Sequence, residues 1–265
     1  MKDEIRSYIP AECPWRDTLY WFPTIDSTNT QAKKLTAAGA PHGTVVIAGH
    51  QSAGRGRMGR SFHSPEGLGL YLSIILRPQC TPEELMHLTC ACGVAACNAV
   101  ESAAKIRPGI KWTNDLVLGK RKLGGILTEL TLSEGKVSSA ILGIGINCGH
   151  DLTDFPEELQ GFVTSLKIAT GKPSIPAEIA GALVYALWET DKHLLSEKAS
   201  LMDTYRQDCI TLGKEISILR ADTVSYGKAV DIDQDGGLVV QYPDGTQQTV
   251  QSGEVSIRGM YGYID

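Results

Sequence analysis

The sequence predicts an α+β fold in which a mixed sheet is flanked by helices and a small all-β module follows. Three strand-like segments, 110–118, 122–132 and 138–148, are joined by tight turns. Strands that follow one another so closely favour a mixed or antiparallel sheet over a doubly wound one. Helix-start signals precede and follow these strands. After Gly213, short alternating segments are separated by Gly- and Asp-rich turns, which is typical of an all-β module.

The N-terminal half begins with a segment that has no clear period. Residues 1–22 are therefore predicted to be an N-terminal extension. The run Asp26-Ser27-Thr28-Asn29 offers N-cap side chains for a short helix that Gly39 would close. The apolar runs at 43–51 and 69–78 have the length of strands.

Two further helical regions are predicted in the middle of the chain. Thr81-Pro82-Glu83-Glu84 forms a capping box with proline at the first helical position, and the helix is expected to reach Ala104. Pro176 begins another amphipathic stretch that ends near Asp208. The predicted domains are an N-terminal extension at 1–22, a main domain at 23–210 and a C-terminal β domain at 211–265.

Composition is that of an ordinary globular protein, with 42% hydrophobic and 21% charged residues. No apolar stretch approaches the ~20 residues that a bilayer requires, and the N-terminus does not read as a signal peptide. Seven cysteines without a CxxC pair indicate a reduced, cytoplasmic setting and no metal site. The net charge is −5, but 54–60 and 103–128 are locally cationic. Isolated patches of this kind fit a nucleotide or a carboxylate better than duplex DNA.

The most informative segment is Gly-Arg-Gly-Arg-Met-Gly-Arg at 54–60. Its glycines allow the backbone to approach a ligand closely, and its arginines carry fixed charges suited to carboxylate and phosphate. No acidic residue occurs from Ser27 to Pro65. A flexible, cationic loop in an acidic protein predicts that a small anion is enclosed there.

Known phosphate-binding motifs do not match this loop. It has the form GxGxxG, but no helix follows and no acidic residue lies about 20 positions on, which argues against a dinucleotide-binding site. A P-loop and the protein-kinase motifs are absent from the sequence. An ordinary surface loop with solubilising arginines, or an RNA-binding segment, remains open at this level.

Three more segments combine polar side chains with small residues, and each also has an ordinary explanation. Lys111–Gly125 joins a polar bend to two glycines, which a charged hairpin would also explain. Gly143–Asn147 ends a strand with a small-residue face and an amide, as a β-bulge near a helix would. Ser27–Asn29 presents free N–H groups at a helix start, which plain capping would also explain.

Taken together, these segments resemble the biotin–protein ligases, or biotin–[acetyl-CoA-carboxylase] ligases. The matching pieces, in family order, are DSTN at 26–29, QSAGRGRMGRSFHSP at 51–65, KWTNDL at 111–116, KRKLGGILTE at 120–129 and GIGIN at 143–147. The resemblance implies a mixed-sheet catalytic domain of the class II aminoacyl-tRNA synthetase type, followed by an SH3-like barrel. Too few residues precede DSTN for the winged helix-turn-helix of bifunctional members, so a monofunctional enzyme is expected.

The resemblance also implies roles for individual residues. Biotin would be bound by Ser27, Thr28, Asn29, Gln51, Gly54, Arg55, Gly56, Arg57, Lys122 and Gly125. ATP would be bound by Arg57, Arg60, Phe62, Lys111, Asn114, Lys122 and Asn147. Lys122, Arg57 and Asp115 would be the catalytic residues. Phe62 stands where some relatives have tryptophan, and Thr113 replaces a common proline.

The implied reaction has two steps. Biotin carboxylate attacks the α-phosphorus of ATP to give biotinyl-5′-AMP and pyrophosphate. A lysine of a biotin carboxyl carrier protein of a carboxylase then attacks that anhydride and releases AMP. ATP with Mg²⁺ and biotin would be substrates, with no tightly held prosthetic group. We expect no DNA or membrane partner, a cytoplasmic location and a possible homodimer. Residues 54–60 are predicted to be mobile without ligand and ordered with the adenylate.

The sequence leaves three alternative functions open. A lipoate ligase uses a related fold and also activates a carboxylate. A biotin-sensing transcriptional regulator would need a DNA-reading helix and a basic face. A non-catalytic module whose β domain recruits partners is the third alternative.

Overall fold

The structure is a computed structural model that describes residues 1–220, 223–251 and 253–257. The predicted C-terminal domain at 211–265 therefore includes positions 221–222, 252 and 258–265 that lie outside the described residues. Within the described ranges, no helix is both long and apolar enough to cross a membrane.

The main sheet has seven strands in the order β1-β2-β3-β7-β6-β5-β4. Their bounds are β1 Leu19–Ile25, β2 Thr44–Gln51, β3 Gly69–Leu76, β4 Gly109–Lys111, β5 Asp115–Leu118, β6 Arg121–Ser133 and β7 Lys136–Asn147. Strands β1 and β2 are parallel, and every other neighbouring pair is antiparallel. The prediction of a mixed sheet is confirmed.

The predicted single strand at 110–118 is wrong, because the chain turns back within it. Lys111 pairs with Asp115, so β4 and β5 form a hairpin around residues 112–114. The polar pair Thr113 and Asn114 occupies this turn, where side chains can reach solvent or a ligand.

Six α-helices are described: α1 Lys2–Ser7, α2 Thr28–Ala37, α3 Leu88–Ala104, α4 Leu166–Thr170, α5 Pro176–His193 and α6 Lys198–Asp208. The capping box predicted at Thr81 exists, since its N–H donates to Glu84 Oε2 over 2.8 Å. It caps a short 3-10 turn at Glu83–Leu85, however, and α3 begins only at Leu88. The amphipathic stretch predicted from Pro176 is divided into α5 and α6.

Helices cover both faces of the main sheet. Alternate residues of β2 point to opposite sides, as the period of two in a strand requires. Val45 and Ile47 belong to the larger apolar core, which also contains α3 and α5. Val46 belongs to a smaller cluster with Ala32 of α2. The two clusters hold the sheet between helices and leave the N-terminus of α2 beside the carboxyl end of β2.

Residues 1–22 contribute to the same core. Ile5, Ile9 and Trp15 are almost completely buried in it, and β1 begins at Leu19. Gly43 makes room for this segment, because a Cβ there would lie 2.1 Å from Trp15 Nε1.

The C-terminal sheet has five antiparallel strands in the order β11-β10-β9-β8-β12. They are β8 Glu215–Arg220, β9 Thr223–Ile232, β10 Leu238–Gln241, β11 Gln247–Val250 and β12 Glu254–Ile257. Among the residues described, the two edge strands do not pair to close a barrel. The sheet packs on the main domain, where Trp112 Nε1 donates to the Gly236 carbonyl over 2.8 Å.

Candidate active site

A cavity of about 480 Å³ lies between the start of α2, the arginine–glycine loop, strands β6 and β7, and the segment after β7. This volume is within the range of sites for small organic ligands. Arg57 and Lys122, which come from separate stretches of sequence, both line it. The other predicted site residues in its wall are Ser27, Thr28, Asn29, Gln51, Arg55, Gly56, Arg60, Phe62, Lys111, Asn114, Asp115, Gly125 and Asn147.

Gly54 is the one predicted site residue that is not part of the cavity wall. It is buried beneath the loop, where its carbonyl accepts a hydrogen bond from Phe62 N–H over 2.9 Å. A Cβ at Gly54 would lie 2.4 Å from the Phe62 carbonyl oxygen. Glycine at this position therefore allows the loop to fold back on itself.

The α2 end of the cavity is a set of buried polar groups that bind one another. Ser27 is the N-cap of α2, but its side chain makes no capping hydrogen bond. Thr28 N–H instead donates to Gln51 Oε1 over 2.9 Å. Gln51 Nε2 donates to Ser64 Oγ over 2.9 Å. Plain helix capping is therefore the wrong explanation for these side chains.

Asn29 connects α2 to two strands of the sheet. Its Oδ1 accepts from Ser73 Oγ of β3 over 2.6 Å, and its Nδ2 donates to Glu129 Oε2 of β6 over 2.9 Å. Lys33 Nζ also donates to Glu129, and Arg55 Nη1 lies 3.8 Å from it. Partial burial raises the pKa of Glu129, but the hydrogen bonds from Lys33 and Asn29 outweigh it and leave the pKa below its ordinary value.

Two glycines of β7 create space for the cavity's side chains. A Cβ at Gly143 would lie 2.1 Å from Asn29 Oδ1, and one at Gly145 would lie 2.5 Å from the Phe62 ring. Pairing of β7 with β3 and β6 is regular through this stretch. The interpretation of 143–147 as a β-bulge is therefore wrong, and its small-residue face accommodates Asn29 and Phe62.

The arginine–glycine loop folds into a small hairpin over the cavity. Gly56 N–H donates to the Arg60 carbonyl over 2.7 Å, and the backbones of Arg55 and Ser61 form an antiparallel β-bridge. Arg57 Nη1 donates to Asn114 Oδ1 over 2.8 Å. Asn114 is itself held by β6, since its Nδ2 donates to the Ile126 carbonyl over 2.9 Å. The guanidinium of Arg57 is thereby tied to the β4–β5 turn.

Lys122 lies on β6, opposite the β5 strand. Its Nζ donates to Asp115 Oδ1 over 2.6 Å, and both side chains are only partly exposed. Lys111 is a further cation in the wall and is 7% exposed. Five lysines and arginines but a single carboxylate, that of Asp115, line the described part of the cavity. The site is therefore suited to anions.

Sequence reasoning missed an apolar wall. Phe155, Leu159, Phe162 and Val163 line the cavity from the segment between β7 and α4. This segment is joined to β6 because Lys122 N–H donates to the Phe162 carbonyl over 2.8 Å. It has no helical or strand period, so aromatic residues in a polar connection were the only signal. Other residues of the wall that were missed are Met58, Ser61, His63, Trp112, Ile126, Leu127, Ile144, Gly253 and Val255.

Asn147 lies at the end of β7, as predicted. It is buried, and its Nδ2 donates to the Thr164 carbonyl over 3.0 Å. Its amide therefore connects β7 to the segment that carries the apolar wall.

Known protein families match both parts of this chain. Residues 21–147 match the biotin/lipoate A/B protein ligase family, and residues 211–258 match the biotin protein ligase C-terminal domain. The bifunctional ligase/repressor BirA of Bacillus subtilis is 35% identical over 254 residues, which cover 93% of this chain and 76% of that protein. A biotin–[acetyl-CoA-carboxylase] ligase of Mycobacterium tuberculosis is 31% identical, covering 86% and 85%.

Solved structures agree with these relatives. The biotin protein ligase of Aquifex aeolicus, in complex with biotin and ATP, superposes with a TM-score of 0.76 at 31% identity and covers 91% of this chain and 98% of that one. The chain belongs to the biotin protein ligase family. These relatives favour biotin over the lipoate alternative.

Proposed function

We propose that this protein activates biotin with ATP as biotinyl-5′-AMP and transfers the biotinyl group to a lysine of a biotin carboxyl carrier protein. The observation that carries the proposal is the shared cavity, in which a hydrogen-bonded polar pocket at one end is joined to Arg57 and Lys122. A ligand with a polar ring and a carboxylate tail matches this arrangement.

The head group of biotin would bind at the α2 end. Ser27, Thr28, Asn29 and Gln51 supply buried polar atoms there, and Gly125 leaves open wall beside Lys122. Arg55 and Gly56 would cover the ligand from the loop. The carboxylate would then reach toward Lys122, which approaches the same cavity from β6.

The nucleotide would occupy the cationic end. Arg57, Arg60 and Lys111 would face its phosphates, while Phe62 and the apolar wall from 155–163 would cover its base. Asn114 would act by holding Arg57, and Asn147 by holding the wall segment. These two contacts support the roles of Asn114 and Asn147, and the other assignments are supported by their places in the cavity wall.

The first chemical step brings two anions together. Unit charges ~4 Å apart repel by roughly 4 kcal/mol at an effective dielectric constant near 20. Lys122 and Arg57 would offset this repulsion and stabilise the charge that builds on the phosphorus oxygens in the transition state. Biotin's carboxylate is already the nucleophile, so this step requires no general base. Asp115 would orient Lys122 through their hydrogen bond.

Mg²⁺ would accompany ATP as its counter-ion. The described residues contain no cluster of three or more His, Cys, Asp or Glu side chains that could hold a metal ion. Mg²⁺ bound mainly by substrate phosphates needs only one or two protein carboxylates. Asp115 is the cavity residue that could supply one, and when bound the ion would neutralise phosphate charge.

The proposal also covers the carrier protein, the roles of the two domains and the oligomeric state. The acceptor lysine would enter the cavity from solvent to reach the anhydride. Residues 23–210 would form the catalytic domain, and 211–265 would support it, since Val255 reaches the cavity wall. A homodimer and a cytoplasmic location are proposed from the family.

Biotin-dependent exchange of labelled pyrophosphate into ATP tests the proposal directly. We expect rapid exchange with biotin and little with lipoate at equal concentration. Transfer to a purified carrier domain, followed by mass spectrometry of the acceptor lysine, tests the second step. Exchange that is equal for both acids, or absent for both, would contradict the assignment.

A further inference from the structure

A buried histidine supports one of the aromatic residues of the cavity wall. The His150 ring lies just after β7 and is completely buried. It is stacked on the Phe155 ring, with 4.6 Å between the ring centroids and 11° between the ring planes. Phe155 lines the cavity, whereas His150 is not among the residues described in its wall. His150 can therefore act on the cavity through the ring of Phe155.

The stack joins a fixed part of the fold to the wall segment, which we define as residues 151–164. The His150 carbonyl accepts a hydrogen bond from Ser165 Oγ over 2.6 Å, and Ser165 is the N-cap of α4. Two positions before His150, Cys148 N–H donates to the Leu68 carbonyl over 3.1 Å. The backbone around His150 is thus held by α4 and by the residue that precedes β3.

The two ends of the wall segment are held in different ways. At the far end, two main-chain hydrogen bonds of 2.8 Å connect it to Lys122 on β6. At the near end, next to His150, His63 Nε2 donates to the Asp154 carbonyl over 2.8 Å, and an exposed ion pair joins Lys167 to Asp151. Exposed ion pairs contribute little to stability. Among these described contacts of the near end, the ring stack is the buried one.

The ring of His150 is suited to this place only while it is neutral. Neither of its nitrogens has a hydrogen-bond partner among the described residues. A protonated ring would carry two N–H donors and a charge, which are costly to bury without acceptors. Burial therefore lowers the pKa of His150 from its ordinary value of 6.5 to about 4. Charge on the His63 ring also lowers this pKa, while the Asp154 carboxylate and the Leu68 backbone raise it.

We propose that His150 is a positioning residue for the nucleotide, whose neutral ring holds Phe155 and the near end of the wall segment against the cavity and whose protonation releases them. This inference rests on the proposed function, which assigns the nucleotide to the end of the cavity that the wall segment covers. His150 itself touches no substrate. Phe155 presents the aromatic face on which a base would stack.

Proton linkage gives the direction of the expected pH dependence. When the near end opens, His150 reaches water and regains its ordinary affinity for protons, so the open form binds a proton more readily than the closed form. The closed form is therefore favoured most above pH 6.5, and this preference decreases as the pH falls toward about 4. Between about pH 7.5 and about pH 5.5, the ratio of closed to open segment should fall about ten-fold.

Amide hydrogen exchange of the free protein, corrected for the intrinsic effect of pH on exchange, measures this ratio. Residues 154–160 provide the amides, several of which donate within the near end itself. Their protection in the wild type should fall about ten-fold between about pH 7.5 and about pH 5.5. His150→Phe keeps an aromatic ring on Phe155 but cannot be protonated, so its protection should be the same at both pH values.

The affinities of the two substrates test the positioning role. At about pH 7.5, His150→Ala removes the stack and should raise the KM for ATP in pyrophosphate exchange by about ten-fold. The Kd for biotin should change less than about two-fold, because biotin would bind at the other end of the cavity. His150→Phe should recover most of the affinity for ATP. Thermal unfolding of both variants shows whether the fold is intact.

The outcomes distinguish this inference from the proposed function. Protection at 154–160 that does not vary with pH, or that varies equally in His150→Phe, would overturn the inference. So would an unchanged KM for ATP in His150→Ala, or an equal loss for biotin and ATP that follows a fall in melting temperature. Wild-type protein without pyrophosphate exchange, but with a pH-dependent protection that His150→Phe removes, would refute the function and leave His150 as the anchor of the wall segment.

Discussion

The two ends of the cavity differ in how their polar groups are held. At the α2 end, Thr28 and Asn29 are buried and bind Gln51 at the end of β2 and Ser73 of β3. At the other end, Arg57 extends from a loop, and the apolar wall lies in a connection whose regular structure is limited to short 3-10 turns at Leu152–Asp154 and Glu157–Leu159. One end is therefore built on a helix and the sheet, while the other depends on a loop and a connection that single hydrogen bonds tie to the sheet, so we expect the second end to move more readily.

This difference indicates a division of tasks. A rigid polar pocket discriminates between ring systems, because a mismatched ligand leaves buried groups without partners. A mobile cationic cover can admit ATP, close over the reacting groups and exclude water from the anhydride. Substitutions at one end should therefore affect biotin binding, and substitutions at the other should affect adenylate formation and retention.

Lys122→Met should lower the rate of biotin-dependent pyrophosphate exchange by about 10²–10³-fold, because it removes a positioned cation from the charged transition state. Biotin affinity without ATP should fall far less. Lys120→Met, on the exposed β5–β6 turn, is the matched control and should leave the rate unchanged. A small effect of Lys122→Met on exchange would argue against transition-state stabilisation by this lysine.

Alanine at Gly143 should affect biotin binding, whereas alanine at Gly145 should affect ATP binding. Gly143→Ala would force Asn29 aside and should weaken biotin binding by about 10–100-fold. Gly145→Ala would displace the Phe62 ring and should mainly raise the KM for ATP. The two substitutions add the same methyl group two positions apart on one strand. Identical effects on both substrates would show that the ends are not independent.

Arg57→Gly should release biotinyl-5′-AMP into solution about ten-fold faster or more, since it removes a cation and its link to Asn114. The freed adenylate should then biotinylate bystander proteins, which a streptavidin blot would detect. Arg121→Gly, on the exposed start of β6, serves as the comparison. Retention of the adenylate as tight as in wild type would show that Arg57 is not part of the gate.

The smallest expected effect is a change in amide hydrogen exchange, which compares the loop at 54–60 directly with the start of α2. Residues 54–60 should become several-fold better protected when biotinyl-5′-AMP binds, because the loop closes on it. Amides at the start of α2 should change little, since they are ordered beforehand. Equal protection of the loop in the free and bound protein would remove the distinction between the two ends.

Much of the fold could be predicted because its signals are local. Tight turns between strands predicted the mixed sheet. The short alternating segments and Gly- and Asp-rich turns after Gly213 predicted the β module. Two boundaries were wrong for a physical reason. The segment 110–118 folds back at Thr113, and the capping box at Thr81 holds only a 3-10 turn, so tertiary packing decided what local sequence left open.

The site was predicted from its motifs, but its supporting contacts were not. Ser73 reaches Asn29 across 44 positions of sequence, and Glu129 reaches it across 100, so neither contact has a local signature. The sequence did contain one signal for Ser73. In the completely buried run at 69–76, only Ser73 and Tyr71 carry a hydroxyl group, and the other residues are apolar. The apolar wall at 155–163 had no period to recognise.

Strand β6 also determines which acids have the correct length. It carries Lys122 near one end and Glu129, the partner of Asn29, seven positions further on. The pairing of β6 with β5 shifts by one residue at Leu123, so the span is shorter than the regular rise of about 3.4 Å per residue would give. Sheet hydrogen bonds hold the two backbone positions, and only the lysine side chain can adjust the distance between the cation and the ring pocket. A carboxylic acid whose aliphatic tail is one methylene too short would reach the ring pocket or the lysine, but not both, and should be adenylated more slowly than biotin.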